Sequence, residues 1–388
     1  MLKNPSKNWD LKGEIETLQK TSLYRRMPEV RGIPGRNINV EGREVLNFSS
    51  NNYLGLACHP RIIDSFSQAA KTYGVGSTAS RLIAGNSPSH RKLEQFIAKW
   101  KNTEAALVFG SGYQANLSIL TSLTDKNDLI VSDELNHASI IDGCRLSRGK
   151  TLVYRHCDPS SAFEALRKSG FRRKLLVTES IFSMDGDQAP LRELSDLCQS
   201  SDTFMVVDEA HATGIYGPSG AGLCAEMDVV PDVQMGTLGK AVGVSGAYVA
   251  GSRYLIDLLV NKARPFIFTT AHSPALSAAT MEALKIIISP EGDLRRIRLK
   301  KNVELMNRLL ENILPPREFA CQILPIVIGP SDLTMKISRA CLEEGLFVQG
   351  IRFPSVPAGA ARLRLTLMSD HTPQDIQRAS EVIGHFVC

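Results

Sequence analysis

The sequence predicts an α/β fold: a large, mostly parallel sheet with helices on both faces, joined to a smaller C-terminal α+β unit. Three observations predict it. Between about Asn51 and Ser289, short apolar runs alternate with stretches of helical periodicity, the pattern of repeated strand–helix units. One run, Phe204 to Val207, is wholly apolar and stops at Asp208, as a strand buried on both faces does. Further on, Pro290-Glu291-Gly292 breaks a helical run, and the pattern beyond it is that of a compact mixed unit.

Residues 1–48 form an N-terminal segment, with one helical stretch from Leu11 to Leu23 and a Pro- and Gly-punctuated region from Pro28 to Gly35. Residues 49–289 form the large domain. Its strands are Ala105–Phe109, Leu129–Asp133, Leu152–Tyr154, Leu175–Glu179, Phe204–Asp208 and Ala247–Ala250. Helical patterns lie between several of them, at His90–Trp100, Ser160–Lys168 and Leu191–Cys198. Residues 290–388 form the small domain. The basic run Arg295 to Lys301 reads as the solvated face of an amphipathic helix whose apolar side is Leu294, Ile297, Met306, Leu309, Leu310 and Ile313. Ala361 to Leu367 alternates strictly, so Arg362, Arg364 and Thr366 share one face. That face is either an exposed edge or a clamp for an α-carboxylate, which a guanidinium grips in two parallel hydrogen bonds.

Bulk properties narrow the function. The chain has 388 residues and a formal charge of only +5, which does not argue for a nucleic-acid partner. Eight cysteines are scattered without a C-x-x-C pair, so neither a metal site nor a disulfide framework is expected. The N-terminus lacks an apolar signal core and no run is long enough to span a bilayer, so the expectation is a cytoplasmic protein with no membrane partner.

The chemistry concentrates in Asp208-Glu209-Ala210-His211 and Thr237-Leu238-Gly239-Lys240. A strand ending in Asp-x-x-His delivers an acid and an imidazole, and a lysine among small residues is an amine that a planar ring can approach. Together these supply what pyridoxal phosphate needs: an amine for its Schiff base and a carboxylate for its pyridinium nitrogen. His211 reaches the ring hydroxyl or serves as a local hydrogen-bonding residue. Gly110 to Asn116 follows a strand and opens a helix, where free N–H groups suit the cofactor phosphate; Thr237 adds a hydroxyl there, and Ser183 one near the ring. His137 starts a helix after a strand, either capping it or stacking on the ring. The letters of Asp208 to His211 also match the acidic motif of a nucleotide motor. That reading requires G-x-x-x-x-G-K-[ST] upstream; Gly143 to Thr151 has one residue too many between its glycines, and Gly239-Lys240 is followed by Ala241.

Taken together the motifs resemble the α-oxoamine synthases, a subfamily of fold-type I pyridoxal-phosphate transferases. The carrying segments are Asn47 to Leu56 (NFSSNNYLGL), Gly85 to Glu94 (GNSPSHRKLE), Ser183 to Asp187 (SMDGD), Asp208 to His211 (DEAH), Thr237 to Lys240 (TLGK) and Val356 to Leu365 (VPAGAARLRL). They span nearly the whole chain. The resemblance implies that Lys240 holds the cofactor, with Asp208 at the ring nitrogen, His211 and Ser183 at the ring hydroxyl, and His137 on the ring face. It implies Gly112, Tyr113 and Thr237 at the phosphate, and Thr270 reaching the phosphate of a neighbouring subunit in a homodimer with shared sites. Arg364, with Thr366 on the same face, binds the amino-acid carboxylate, and Asn51 approaches the acyl-accepting site. Acid–base work falls to Lys240, aided by His137. The pattern of the Asn47 and Val356 stretches tilts towards members that condense L-alanine with a pimeloyl thioester of coenzyme A or of a carrier protein; the alternative is glycine with acetyl-CoA. Pimeloyl-using members often carry an arginine in the N-terminal segment for the distal carboxylate. Here Tyr24 falls at that place with Arg25 beside it, so the expectation moves to Arg25.

Overall fold

The computed structural model describes residues 9–314 and 319–387. Its centre is a seven-stranded sheet in the order Ala105–Phe109, Ala247–Gly251, Val233–Thr237, Thr203–Asp208, Lys174–Glu179, Leu129–Asp133, Lys150–Tyr154. Ala247–Gly251 runs antiparallel to both neighbours, and the pairs on the other side are parallel. Each strand is apolar on alternate residues towards two separate cores. Val131, Leu176, Met205 and Val207 face one, packed by Pro88–Trp100, Leu191–Ser200 and Pro274–Ile287. Ile130, Leu175, Val177 and Val206 face the other, packed by Gly112–Leu123 and Arg253–Lys262. This double burial is why the strands read as continuous apolar runs. The parallel strands end together at Asp133, Glu179 and Asp208, and a ligand binds beyond such ends.

Pro290 is not only a breaker. It begins the helix Pro290–Leu309, since the fixed φ of proline suits a first helical turn. The expected face is buried only in part: Met306 and Leu310 are buried together with Leu299 and Val303, while Leu294, Ile297 and Leu309 are exposed. Arg295 and Arg296 leave the solvent side as well: they donate to the carbonyls of Leu54 and Ile287 at 2.8 Å and tie the small domain to the large one. Carbonyl acceptors on the large domain make this face worth burying, and a helical wheel does not contain them.

Ala361–Thr366 is not an edge. It is the middle strand of the small sheet, between Ile323–Gly329 and Gln349–Ile351, and all six residues are buried. Its arginines can be inside because each finds acceptors, as described below. Residues of the N-terminal segment join the small domain: Arg43–Asn47 pairs with Asn37–Val40 and, in parallel, with Leu346–Phe347. The helix Leu11–Lys20 buries none of its residues.

Candidate active site

The hairpin between Val233–Thr237 and Ala247–Gly251 carries Lys240, with the Leu238 N–H donating to the Gly246 carbonyl at 2.8 Å. The Lys240 Nζ lies 2.7 Å from His211 Nε2. Burial drives the amine down to about 8, against the pull of Asp208 and Glu179 and assisted by the charge of Arg364. Burial, then Lys240 and Arg364, hold the His211 imidazole well below its usual range, so it is neutral and can accept from the amine.

Asp208 is buried at the strand end. One carboxylate oxygen accepts from the Asn116 amide at 2.8 Å and the other from the Ala210 N–H at 2.8 Å, which fixes the plane of the group. Glu179 stands directly across from it in the neighbouring strand. Glu179 is fully buried, and burial together with Asp208 pushes its pKa well up. It accepts the His137 N–H at 2.6 Å. The His137 Nδ1 accepts from the Ser139 N–H at 3.2 Å, so the imidazole caps the helix Ala138–Leu146 and leaves its ring exposed on the site side of that turn.

Gly112 and Tyr113 open the helix Gly112–Leu123, where Ser111 accepts from the Gln114 N–H at 3.2 Å. Their own N–H groups belong to the first turn, which has no carbonyl one turn back. A Cβ on Gly112 would come within 3.1 Å of the Met235 side chain, so the cradle is close-fitting. The Tyr113 hydroxyl donates to Asp142. Thr237 Oγ1 donates to the Gly246 carbonyl at 3.2 Å and accepts from the Gly239 N–H at 3.3 Å.

The structure separates the two arginines of the alternating strand. Arg362 is spent on Asp185 and the Met184 carbonyl. Arg364 donates through Nε to the Ser183 carbonyl at 2.6 Å and through both terminal nitrogens to Asn51 Oδ1 at 3.2 and 3.3 Å. Among the described residues it has no carboxylate partner. Ser183 contributes its carbonyl to this contact. Tyr53, fully buried, donates to Asn51 Oδ1 at 2.8 Å and meets His211 Nδ1 at 2.8 Å, linking Arg364 to Lys240 through three side chains. Burial lifts the Tyr53 phenol to about 12, against the lowering effect of Arg364, so it stays protonated.

Three expected residues stand apart from this group. Thr366 is buried with its hydroxyl unpartnered. Thr270 is exposed on the loop that Ala79 holds through the Ala271 N–H at 2.9 Å. Arg25 is exposed and donates to the Phe353 carbonyl at 2.9 Å. It lines a cavity of about 770 Å³ with Tyr24, Gln349, Ile351 and Arg352. Sequence reading missed Glu179, Asn116, Tyr53 and Arg352. For Glu179 the signal was present: like Asp208, it is an acid closing an apolar run.

The residues fit pyridoxal phosphate. A part-buried amine with no acid partner among the described residues, a carboxylate fixed in plane and a helix start with spare N–H groups match its aldehyde, ring nitrogen and phosphate.

The model of the class I and II aminotransferases matches residues 43–383, and the chain belongs to that family. It is a fold-type I enzyme, with pyridoxal 5′-phosphate as its cofactor. Among curated relatives it is 46% identical to the 8-amino-7-oxononanoate synthase of Citrifermentans bemidjiense, over 95% of this chain and 96% of the relative. Among solved structures it is similar to a serine palmitoyltransferase of S. paucimobilis, with TM-score 0.91 and 26% identity over 97% of each chain. It is also similar to the 8-amino-7-oxononanoate synthase of Francisella tularensis, with TM-score 0.77 and 28% identity over 88% of this chain and 97% of that one.

Proposed function

We propose that the enzyme condenses L-alanine with a pimeloyl thioester, of coenzyme A or of a carrier protein, giving 8-amino-7-oxononanoate, CO₂ and the free thiol, a step of biotin biosynthesis. The observation that carries this reading is a guanidinium without an acid partner, Arg364, joined through Asn51, Tyr53 and His211 to the amine of Lys240. It is supported by the relatives' names and by their coverage of nearly the full chain.

Arg364 binds the carboxylate of the amino acid, replacing the weaker acceptor Asn51. When bound, pyridoxal phosphate supplies an electron sink for the pair left at Cα. Asp208 would keep the cofactor's ring nitrogen protonated, with Asn116 fixing the carboxylate. Lys240 would hold the cofactor and, once its amine is free, would take the Cα proton; with a pKa near 8 it is an effective base near neutral pH. Cα then forms a bond to the thioester carbonyl and the thiolate leaves. The β-keto acid loses CO₂, and Lys240 returns the proton to Cα. His137 would cover the ring and Asn51 would stand near the acyl carbonyl. Gly112, Tyr113 and Thr237 would hold the phosphate, with Thr270 supplied by the second subunit of a cytoplasmic homodimer.

The cavity at the N-terminal segment suits the far end of a pimeloyl chain. It opens beside Gln349 and Ile351, one strand from Arg364, and Arg25 and Arg352 supply positive charge for a distal carboxylate that is costly to bury alone. The test is purified protein supplied with L-alanine or glycine against acetyl, octanoyl and pimeloyl thioesters, with products read by mass. Formation of 8-amino-7-oxononanoate with one CO₂ per thiol is expected. Turnover confined to glycine with acetyl-CoA would replace this reading by a glycine C-acetyltransferase.

A further inference from the structure

His156 follows the strand Lys150–Tyr154, outside every motif that carries the chemistry. Its Nδ1 lies 2.9 Å from Asp133 Oδ1 and its Nε2 lies 2.8 Å from Asp187 Oδ2. Asp133 also accepts from the Leu135 N–H and the Cys157 N–H, each at 2.9 Å, so it is an acceptor throughout. A carboxylate has no hydrogen to give, so an imidazole between two of them must donate from both nitrogens and carry a positive charge. The neighbouring Cys157 thiol and Asp133 give the set the composition of a metal site, but both imidazole nitrogens are already engaged.

The two acids sit at informative places. Asp133 opens the turn that leads to His137, four residues on. Asp187 closes the loop whose Ser183 carbonyl receives Arg364 and whose Asp185 receives Arg362. Within the loop the Phe182 N–H donates to the Asp187 carbonyl at 3.0 Å and the Gly186 N–H to the Phe182 carbonyl at 2.9 Å, and the Cys321 thiol donates to the Gly186 carbonyl at 3.1 Å. The His156 ring also stands edge-on to Phe182, with centroids 4.4 Å apart.

We propose that His156 is a positioning residue, a permanently charged imidazolium that brackets the His137 turn to the loop 183–187 and so fixes where Arg364 presents its guanidinium. The inference uses the reading of Arg364 as the carboxylate clamp, but the bracket itself is a property of the protein without substrate. Burial works against the charge, and the bonds to Asp133 and Asp187 outweigh it and raise the imidazole to about 12.

Three measurements test it. In the wild-type holoenzyme labelled at histidine, the imidazole resonances that disappear in His156→Gln should show the doubly protonated form up to pH 9; a neutral tautomer at pH 8 would overturn the proposal. In the same variant, amide exchange of the segment 181–188, followed without substrate, should quicken about tenfold while the segment 203–208 keeps its rate. Unchanged exchange of 181–188 overturns the bracket whatever the enzyme's substrate. Misplacing the clamp should raise KM for the amino acid by roughly tenfold to a hundredfold, with KM for the thioester little changed. Asp187→Asn in the His156→Gln background should recover part of that loss, because a neutral pair replaces a stranded acid; no recovery counts against the charge argument. If exchange and charge behave as stated but the amino-acid KM does not move, the bracket stands and the assignment of Arg364 falls.

Discussion

Lys240 and Arg364 make opposite demands on the same recess. Burial, assisted by the charge of Arg364 nearby, leaves Lys240 poised near pH 8. Only the unprotonated amine attacks an aldehyde. The rate at which cofactor-free protein captures pyridoxal phosphate, followed by near-visible absorbance, should therefore rise with pH to a plateau above about 8. A plateau reached only near the ordinary lysine range would remove the buried-amine argument. For Arg364, replacement by lysine keeps the charge but loses the fork that spans Ser183 and Asn51. Arg364→Lys should weaken amino-acid binding by about 1.5–3 kcal/mol, roughly tenfold to over a hundredfold, and leave cofactor affinity alone. An unchanged dissociation constant for alanine would move the clamp elsewhere. Lys240, Asp208, His211 and Arg364 could be read from the chain because each lies in a short motif. What Asn116 and Tyr53 contact could not, since their partners Asp208 and His211 lie 92 and 158 residues away in the chain.

At the scale of elements, the turn after Thr203–Asp208 is anchored by a buried ion pair. Lys101 and Glu209 are both fully buried, and Lys101 also donates to the Ala221 carbonyl. Glu209 further accepts the Cys224 N–H at 2.8 Å. Burial disfavours the Lys101 charge, and Glu209 with Tyr248 more than offsets it, holding its pKa above the usual range. Lys101→Met strands the carboxylate next to Asp208. It should cost about 3–5 kcal/mol of unfolding free energy in urea, the scale for breaking such a pair from one side. A loss under 1 kcal/mol would mean that Glu209 takes up a proton cheaply. The pair shows which elements could be foreseen. The strands Thr203–Asp208 and Leu129–Asp133 were legible because burial on both faces leaves an unbroken apolar run. Ala361–Thr366 was legible as a strand but not as a central one: alternating arginines ordinarily mark a wet face, and here their acceptors come from the loop 183–187 and from Asn51. The partial burial of Arg295 and Arg296 on Pro290–Leu309 has the same origin, in the carbonyls of Leu54 and Ile287.

At the scale of the whole molecule, three imidazoles outside the site, those of His90, His272 and His371, are held neutral. Burial, with Arg81 adding to it, brings His90 to about 4; burial and His90 bring His272 to about 4; burial brings His371 to about 4. All three stand at 6.5 when unfolded, so the unfolded chain takes up protons first. Their contribution to stability is complete above about pH 6.5 and is lost progressively as pH falls towards 4. The urea midpoint should therefore drop steeply between pH 6.5 and 4.5, and His371→Gln should flatten part of that slope. A midpoint level over this interval would contradict the buried neutral state. The division into a large sheet and a smaller unit followed from periodicity. The pairing of Arg43–Asn47 with Leu346–Phe347 did not, because neither run carries a mark that names the other.

That pairing also governs how the protein is made. Leu46 and Leu346 are neighbours in the sheet but are separated by 300 positions in the chain. At a translation rate of about 5–20 residues per second, the early strand leaves the ribosome roughly 15–60 s before its partner exists. For that interval one margin of Arg43–Asn47 is an open row of backbone donors and acceptors, and the segment NFSSNNYLGL that follows it has no Arg364 to hold Asn51. A nascent chain of this enzyme is thus exposed to stray strand pairing early, and Arg364 follows Asn51 only 313 positions later.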